Sequence, residues 1–313
     1  MKTVCIANDP AIDKFLEPLK EIGQLEIFHK KNLLPKEVIE YTKNADILIT
    51  GPEAVGRLSK EILSKLSSLK FISLLTIGTD WVDLEYTKEK GIEVSNIAGS
   101  TAESVAEHAW AMILDLSKRV SEFDRASRLE GNYNFANFKG KEILGKTLGV
   151  LGLGNVGKRV AEIGETFTRD ILGVHTSMKT VGNVKVVDKG TLIKESDVIV
   201  VCLPLTNDTK DYISEKEIES MKQGVIIVNP AREKIVNKEA VLKGVKDGKI
   251  FGYGVETTIM KEIPEDDPYY TFPNVIVTPH NAFNTIEADQ RSYELVVENI
   301  LRYAKGTPQN LVG

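Results

Sequence analysis

Short apolar runs alternate with segments of helical spacing along most of the chain. In its first part the runs are Thr3–Ala7, Gln24–Phe28, Asp46–Thr50, Phe71–Leu75 and Ile92–Ser95, each of a length suited to a buried strand. Between them, Ala11–Ile22, Pro35–Thr42, Ser59–Leu66 and Asp83–Lys90 place apolar residues at helical intervals. That alternation predicts a parallel sheet with helices on both faces. Ser100–Val120 is a longer helical pattern, with Val105, Ala109, Met112, Ile113 and Leu116 on one face and a capping box from Ser100 to Glu103. Its place after the first sheet suggests a bridge between two domains. Gly131–Lys141 reads as a polar, aromatic loop whose Tyr133, Phe135 and Phe138 pack onto a neighbouring domain or subunit.

A second series of runs follows: Leu148–Leu151, Asp170–Val174, Val184–Val187, Asp197–Leu203, Val225–Asn229, Ile250–Val255 and Val275–Thr278. Helical segments at Ser214–Met221 and Lys238–Lys246 intervene, and Ile286–Ala304 forms a terminal helix that crosses back to the first domain. The expectation is an α/β chain of two doubly wound parallel-sheet domains, with residues 1–99 and 284–313 in one and 100–283 in the other.

The first run of the second series continues into glycines: Gly152, Gly154 and Gly157 make G-x-G-x-x-G between a strand and a helix. In a dinucleotide site the first permits a tight turn, the second lets backbone approach a pyrophosphate, and the third lets helix and strand pack closely. The phosphates sit on free N–H groups at the helix's positive end. Asn155 and Val156 inside the motif, and Leu203 and Pro204 after a later strand, join the expected cofactor contacts. NAD sites carry Asp or Glu about 20 residues beyond the glycines, at the end of the second strand. Here that position falls on His175, followed by Thr176, Ser177 and Lys179. Hydroxyls and a cation suit a 2′-phosphate, so NADP(H) is favoured, with NAD(H) possible.

Bulk properties narrow the reading further. A net charge of −5 over 313 residues, with no Lys/Arg cluster, gives no nucleic-acid surface. MKTVCIAND reads as a strand entering a turn rather than a signal peptide, and no apolar run is long enough to span a bilayer. Cys5 and Cys202 lie in apolar runs and read as buried thiols of a cytoplasmic protein. Neither they nor His29, His108, His175 and His280 have metal-ligand spacing, so no metal site is expected.

Several blocks together, LKFISLLTIGTDWVDLEYTKEKGIEVSN, STAESVAEHAWAMIL, GKTLGVLGLGNVGKRVA, SDVIVVCLPLTNDTKDYIS, MKQGVIIVNPAREKIVNKEAVLKGVKDGKIFGYGVE and NVIVTPHNAF, resemble the D-isomer-specific 2-hydroxyacid dehydrogenase family nearly end to end. The resemblance implies a flavodoxin-like substrate domain and a Rossmann-like nucleotide domain, an active site in the cleft between them, a homodimer, and an Arg–Glu–His catalytic set. Arg232 in VNPAR matches the family arginine, whose fork suits the carboxylate and carbonyl oxygen of a 2-oxo acid. His280 in TPH matches the acid/base, since reduction of a ketone leaves an alkoxide that needs a proton near neutral pH. The carboxylate partner of that histidine falls on Glu262 if TTIMKEIPEDDP carries one inserted residue. Glu256, where the family commonly has Asp near the nicotinamide, is the fallback. By the same comparison His108 reads as structural, and His29 and His175 match no catalytic position.

The turn from Thr76 to Asp80 matches the loop whose backbone amides hold the substrate carboxylate, here those of Ile77 and Gly78. Thr76 replaces a frequent glycine, Trp81 is bulkier than usual, and Glu233 replaces the glycine after the family arginine. Gly51-Pro52-Glu53 stands where phosphoglycerate dehydrogenases carry an arginine, which disfavours a phosphorylated substrate. The leading reading is NAD(P)-dependent reduction of a small 2-oxo acid to the D-2-hydroxy acid. Two others stay open: formate or phosphite oxidation on the same scaffold, and a non-catalytic NAD(P)-sensing protein.

Overall fold

The computed structural model describes residues 1–177, 180–257 and 266–313, and the chain forms two compact units. Unit 1 comprises Met1–Thr101 and Thr285–Gly313; unit 2 comprises Ala102–Asn284. Each has its own sheet.

In unit 1, β1 (Lys2–Ala7), β2 (Gln24–His29), β3 (Ile47–Thr50), β4 (Phe71–Leu74) and β5 (Glu93–Ser95) lie in the order β2-β1-β3-β4-β5. All neighbours are parallel, with Cys5 beside Ile49 and Ile49 beside Ser73. Every residue of β3 and β4 is buried, which explains why these strands read as unbroken apolar runs. The alternation of side chains along a strand divides them between two cores. Val4, Ile6, Leu48 and Ile72 enter one cluster with Leu58, Trp81 and Val82. Cys5, Ile47, Ile49 and Phe71 enter the other with Val296, Val297 and Ile300 of the terminal helix Ile286–Ala304. Tyr303 of that helix stacks on Phe71 with ring centroids 4.3 Å apart.

The predicted helix over Ala11–Ile22 is instead three short pieces, Pro10–Ile12, Asp13–Leu16 and Glu17–Ile22. Pro18 sits at the start of the last and has no N–H to continue an α-helical ladder. Cys5 is buried, and burial pushes its thiol up to about 12; Cys202 is only half-buried, against expectation.

In unit 2 the described strands are β6 (Leu148–Leu151), β7 (Ile171–Val174), β8 (Thr180–Val181), β9 (Val184–Val186), β10 (Val198–Val201), β11 (Val225–Asn229), β12 (Ile250–Glu256) and β13 (Val275–Thr278). Their order is β13-β12-β11-β10-β6-β7-β9-β8. All pair in parallel except the two-residue β8, which is antiparallel to β9. The direction of winding reverses between β6 and β10, and the crevice beyond their carboxyl ends is where such sheets bind nucleotides.

The helix Ala102–Lys118 lies along this sheet; a Cβ added to Gly252 or Gly254 would come within 2.9 Å of Leu116 or Met112. Trp110 donates its indole N–H to the Val160 carbonyl at 2.9 Å and stacks on Phe167. A second helix, Val120–Glu130, follows at once, separated by Arg119 in a left-handed conformation with φ +58°. Arg119 is held there by two hydrogen bonds to Glu122. Tyr133 and Phe135 stay exposed in the following loop, whereas Phe138 stacks on Phe123.

Candidate active site

The turn after β6 has the shape a dinucleotide requires. Gly152 sits at φ +99°, and a Cβ there would stand 2.7 Å from the Cys202 carbonyl oxygen and 2.9 Å from Leu203 Cδ2. A Cβ at Gly157 would stand 1.9 Å from the Gly152 carbonyl oxygen, so the helix Asn155–Gly164 begins directly against the turn. Gly154 differs: nothing lies within 4 Å of an added Cβ, which leaves open space above the backbone. Gly154 caps that helix without a side-chain bond, and the first-turn N–H groups, those of Asn155, Val156 and Gly157, have no intrahelical acceptor. Two packed glycines, one open glycine and a free helix N-terminus fit a pyrophosphate. Leu203 and exposed Pro204 follow β10 beside the same turn.

At the end of β7, His175 Nδ1 accepts the Ser177 N–H at 3.1 Å, which curls His175, Thr176 and Ser177 into a tight turn. Thr176 and Ser177 are exposed. Lys179 lies outside the described residues.

The loop after β11 carries Arg232. Buried Asn229 ties it down: its Nδ2 donates to the Arg232 carbonyl at 2.8 Å and its Oδ1 accepts from the Ala231 N–H at 3.2 Å. The guanidinium is exposed, donates to the Ala231 carbonyl at 2.9 Å, and makes no ion pair among the described residues. It is free to take an anion. Glu233, in place of the usual glycine, opens a short helical turn and points its charge at Lys238, 3.8 Å away.

His280 follows β13 at φ +54°, a conformation uncommon outside glycine. Its backbone N–H is held by the Thr278 carbonyl at 3.0 Å, and its Nδ1 lies 3.3 Å from the Thr257 carbonyl. A carbonyl can only accept, so Nδ1 carries the proton in the neutral ring, and Nε2 has no hydrogen-bond partner among the described residues. Burial, then the nearby Arg232 charge, lower the His280 pKa from its ordinary value of 6.5, and Glu256 opposes them. Arg232 and His280 thus stand within electrostatic reach of each other. Glu262, expected to hold this ring, lies outside the described residues.

Glu256, 1 % exposed at the end of β12, has partners that the sequence did not reveal. Its Oε1 accepts from the Thr278 hydroxyl and lies 2.8 Å from His108 Nε2; the same Nε2 is 3.2 Å from Thr278 Oγ1. Its Oε2 is buried with no hydrogen-bond partner among the described residues. His108, read as structural, is therefore coupled to a buried carboxylate near the candidate acid/base. Two features could have flagged each residue singly, though not their pairing: a carboxylate ending the apolar run IFGYGVE, and a histidine beside the apolar face of its helix. A buried carboxylate demands a compensating donor.

In unit 1, the Thr76–Asp80 turn follows β4. The N–H groups of Ile77 and Gly78 make no hydrogen bond among the described residues, and the Ile77 side chain is 41 % exposed. Among the described residues there is no group of three or more His, Cys, Asp or Glu arranged to hold a metal ion, and no helix long and apolar enough to cross a membrane.

The profile of the D-isomer specific 2-hydroxyacid dehydrogenase family, NAD binding domain, matches residues 110–282. A hydroxypyruvate reductase of Thermotoga maritima is 34 % identical over 299 residues, covering 94 % of this chain and 96 % of that protein. A D-3-phosphoglycerate dehydrogenase of Methanocaldococcus jannaschii is 32 % identical over 96 % of this chain, but the chain spans only 57 % of its length. Among solved structures, an acyclic imino acid reductase in complex with NADPH and D-Arg superposes with a TM-score of 0.88, at 28 % identity and with all of both chains covered.

Proposed function

Because the chain belongs to the D-isomer specific 2-hydroxyacid dehydrogenases, a family of NAD-dependent oxidoreductases, we propose that it reversibly reduces a small 2-oxo acid to the D-2-hydroxy acid. The observation that carries this reading is the His280 ring. Its Nδ1 is engaged by Thr257, its Nε2 has no hydrogen-bond partner among the described residues, and it feels the charge of Arg232, which makes no ion pair among those residues. Arg232 pairs with the substrate carboxylate and polarises the carbonyl oxygen; the Ile77 and Gly78 amides hold the carboxylate. His280 Nε2 gives its proton to the developing alkoxide, and in the oxidative direction takes it back. Glu262 fits as the residue that steadies His280, and Glu256 as a contact for the nicotinamide end of the cofactor. The nicotinamide, when bound on the Gly152–Gly157 turn, supplies the hydride.

NADP(H) is favoured, with NAD(H) possible, because no carboxylate ends β7 to repel a 2′-phosphate, while exposed Thr176 and Ser177 can donate to one. Lys179→Ala should then weaken NADPH binding at least about tenfold more than NADH, the scale of one lost charge-assisted hydrogen bond. Fluorescence titration with both reduced cofactors checks this; an unchanged ratio contradicts it.

The chemistry is tested by oxidation of NADPH and NADH, followed at 340 nm, with glyoxylate, hydroxypyruvate, pyruvate and phenylpyruvate. Turnover is expected with at least one acid, and 3-phosphohydroxypyruvate should be poor, since Gly51-Pro52-Glu53 offers no cation. Nucleotide binding without turnover on any acid would favour a sensor instead. The likeness to the imino acid reductase supports one second reading, reduction of the imine formed from a 2-oxo acid. The same panel with added methylamine separates them: an imine reductase turns over only when the amine is present.

The pH profile follows from the His280 shift. Reduction needs the imidazolium, so its rate is full below the His280 pKa and falls as pH rises through it. Because that pKa is lowered, the fall should lie below pH 6.5 in the nucleotide-free enzyme, seen in kcat/KM, and oxidation should rise over the same window. Glu256→Gln removes a charge that raises the pKa, so the falling limb should move to still lower pH. A limb that stays in place contradicts the coupling.

We also propose a homodimer. Val120, Leu129, Tyr133, Phe135 and Leu144 are large apolar side chains, each at least 60 % exposed, within one stretch of unit 2. Such a concentration of exposed apolar surface suits a second copy of the chain.

A further inference from the structure

Two residues depart from the usual pattern, Thr76 at the start of the Thr76–Asp80 turn and Trp81 just after it, and the structure joins them. The Trp81 indole N–H is shared between Thr76 Oγ1, at 3.1 Å, and the Gly78 carbonyl, at 3.0 Å. The Thr76 hydroxyl donates to the same Gly78 carbonyl at 2.9 Å. Buried Asn96 donates its side-chain N–H to the neighbouring Ile77 carbonyl at 2.8 Å. The Trp81 ring itself is anchored in the unit 1 core with Leu58 and Val82, and the Trp81 carbonyl accepts the Leu58 N–H at 2.9 Å.

Peptide geometry turns these carbonyl contacts into a statement about donors. In a planar trans peptide the C=O of one residue and the N–H of the next point in opposite directions. Holding the Ile77 carbonyl aims the Gly78 N–H, and holding the Gly78 carbonyl aims the Thr79 N–H. Neither N–H has a hydrogen-bond partner among the described residues. Each tied carbonyl leaves the N–H group opposite it without an acceptor among the described residues, and two such donors on successive residues can serve one anion.

We propose that Trp81, Thr76 and Asn96 are positioning residues that lock this turn, so that the Gly78 and Thr79 N–H groups bind the carboxylate of the 2-oxo acid. The Gly78 carbonyl is the hub of the lock. Threonine in place of glycine is then no obstacle, because its hydroxyl is the second donor to that hub and also an acceptor for the indole. The two departures compensate each other. This inference rests on the reading that the turn faces the substrate carboxylate, and it extends the donor set from Ile77 and Gly78 to Thr79.

Two conservative variants test it. Trp81→Phe keeps the ring and removes the N–H; Thr76→Val keeps the shape and removes the hydroxyl. Each should raise KM for the 2-oxo acid turned over fastest by about 5- to 10-fold, as for one lost hydrogen bond, with kcat and the NAD(P)H KM within about twofold. The double variant should be little worse than the more severe single one, since both bonds serve one carbonyl. A second readout does not depend on activity. The protein has two tryptophans, and Trp110 donates to Val160 instead, so ¹⁵N-indole labelling gives a reference signal and a lock signal. Thr76→Val should move the Trp81 indole signal and leave that of Trp110 in place. An unmoved Trp81 signal overturns the lock. A moved signal with unchanged acid KM in both variants overturns the carboxylate reading of the turn.

Discussion

Replacing His280 with alanine should lower kcat for 2-oxo acid reduction by about two to four orders of magnitude, the usual contribution of a positioned general acid. The nucleotide dissociation constant should stay within about twofold, because the glycine turn proposed to hold the pyrophosphate is built from other residues. The geometry makes this asymmetry expected. His280 is fixed by its own backbone bond to Thr278 and by Nδ1 facing Thr257, and in the proposed mechanism Nε2 is the nitrogen that transfers the proton. Removing the ring leaves Arg232 and the sheet edge in place. Stopped-flow hydride-transfer rates and nucleotide titration by fluorescence, both on the variant, read the two halves separately. Loss of both to the same degree would mean that His280 supports the fold or the cofactor rather than the chemistry.

The second large effect is expected at Gly157. A methyl group there would sit 1.9 Å from the Gly152 carbonyl oxygen, so Gly157→Ala must push the helix Asn155–Gly164 away from the turn after β6. Overpacking of this kind costs about 1–3 kcal/mol. The larger consequence is for binding, because the displaced helix carries the N–H groups that the phosphates need. Nucleotide affinity should fall by about two orders of magnitude or more, taking the displacement as equivalent to losing at least two charge-assisted hydrogen bonds. Calorimetric titration with NADPH and a thermal melt on the same sample check both parts. Gly154→Ala, at a position with open space, should melt like the parent yet still bind nucleotide weakly, since its methyl group enters the volume left for the phosphates. If Gly157→Ala bound NADPH like the parent, the turn would not be the pyrophosphate site.

How much of this was legible in the sequence depended on whether an element is buried on both faces. β3, β4, β6 and β10 are buried at every residue, and their apolar runs gave them away to within a residue or two. The terminal helix Ile286–Ala304 was equally plain, from its periodicity and the glycine beyond it. Helices that cover the sheets were harder. Val120–Glu130 is polar apart from a few positions and follows a helix whose pattern runs into it; only the left-handed Arg119 divides them. Lys189–Glu195 went unread, although its Asp188 cap is present in the sequence.

In the site, the glycine turn was legible because Gly152 and Gly157 answer local steric demands and Gly154 keeps the spacing between them. The Glu256–His108–Thr278 cluster was not, since His108 and Thr278 lie 170 residues apart and no local pattern links them. The role of Trp81 was hidden for the opposite reason. It is close in sequence to its partners, but only its bulk stood out there, whereas in the structure its N–H makes the bonds to Thr76 and Gly78.

The central claim is that Arg232 and His280 act on one bound 2-oxo acid, and a double-mutant cycle addresses it most directly. kcat/KM for the best acid of the panel is measured for the parent, Arg232→Ala, His280→Ala and the double variant. If the two side chains serve the same transition state, the double variant should be about as slow as the slower single one. Losses that simply multiply would show two residues working independently, and would contradict the account.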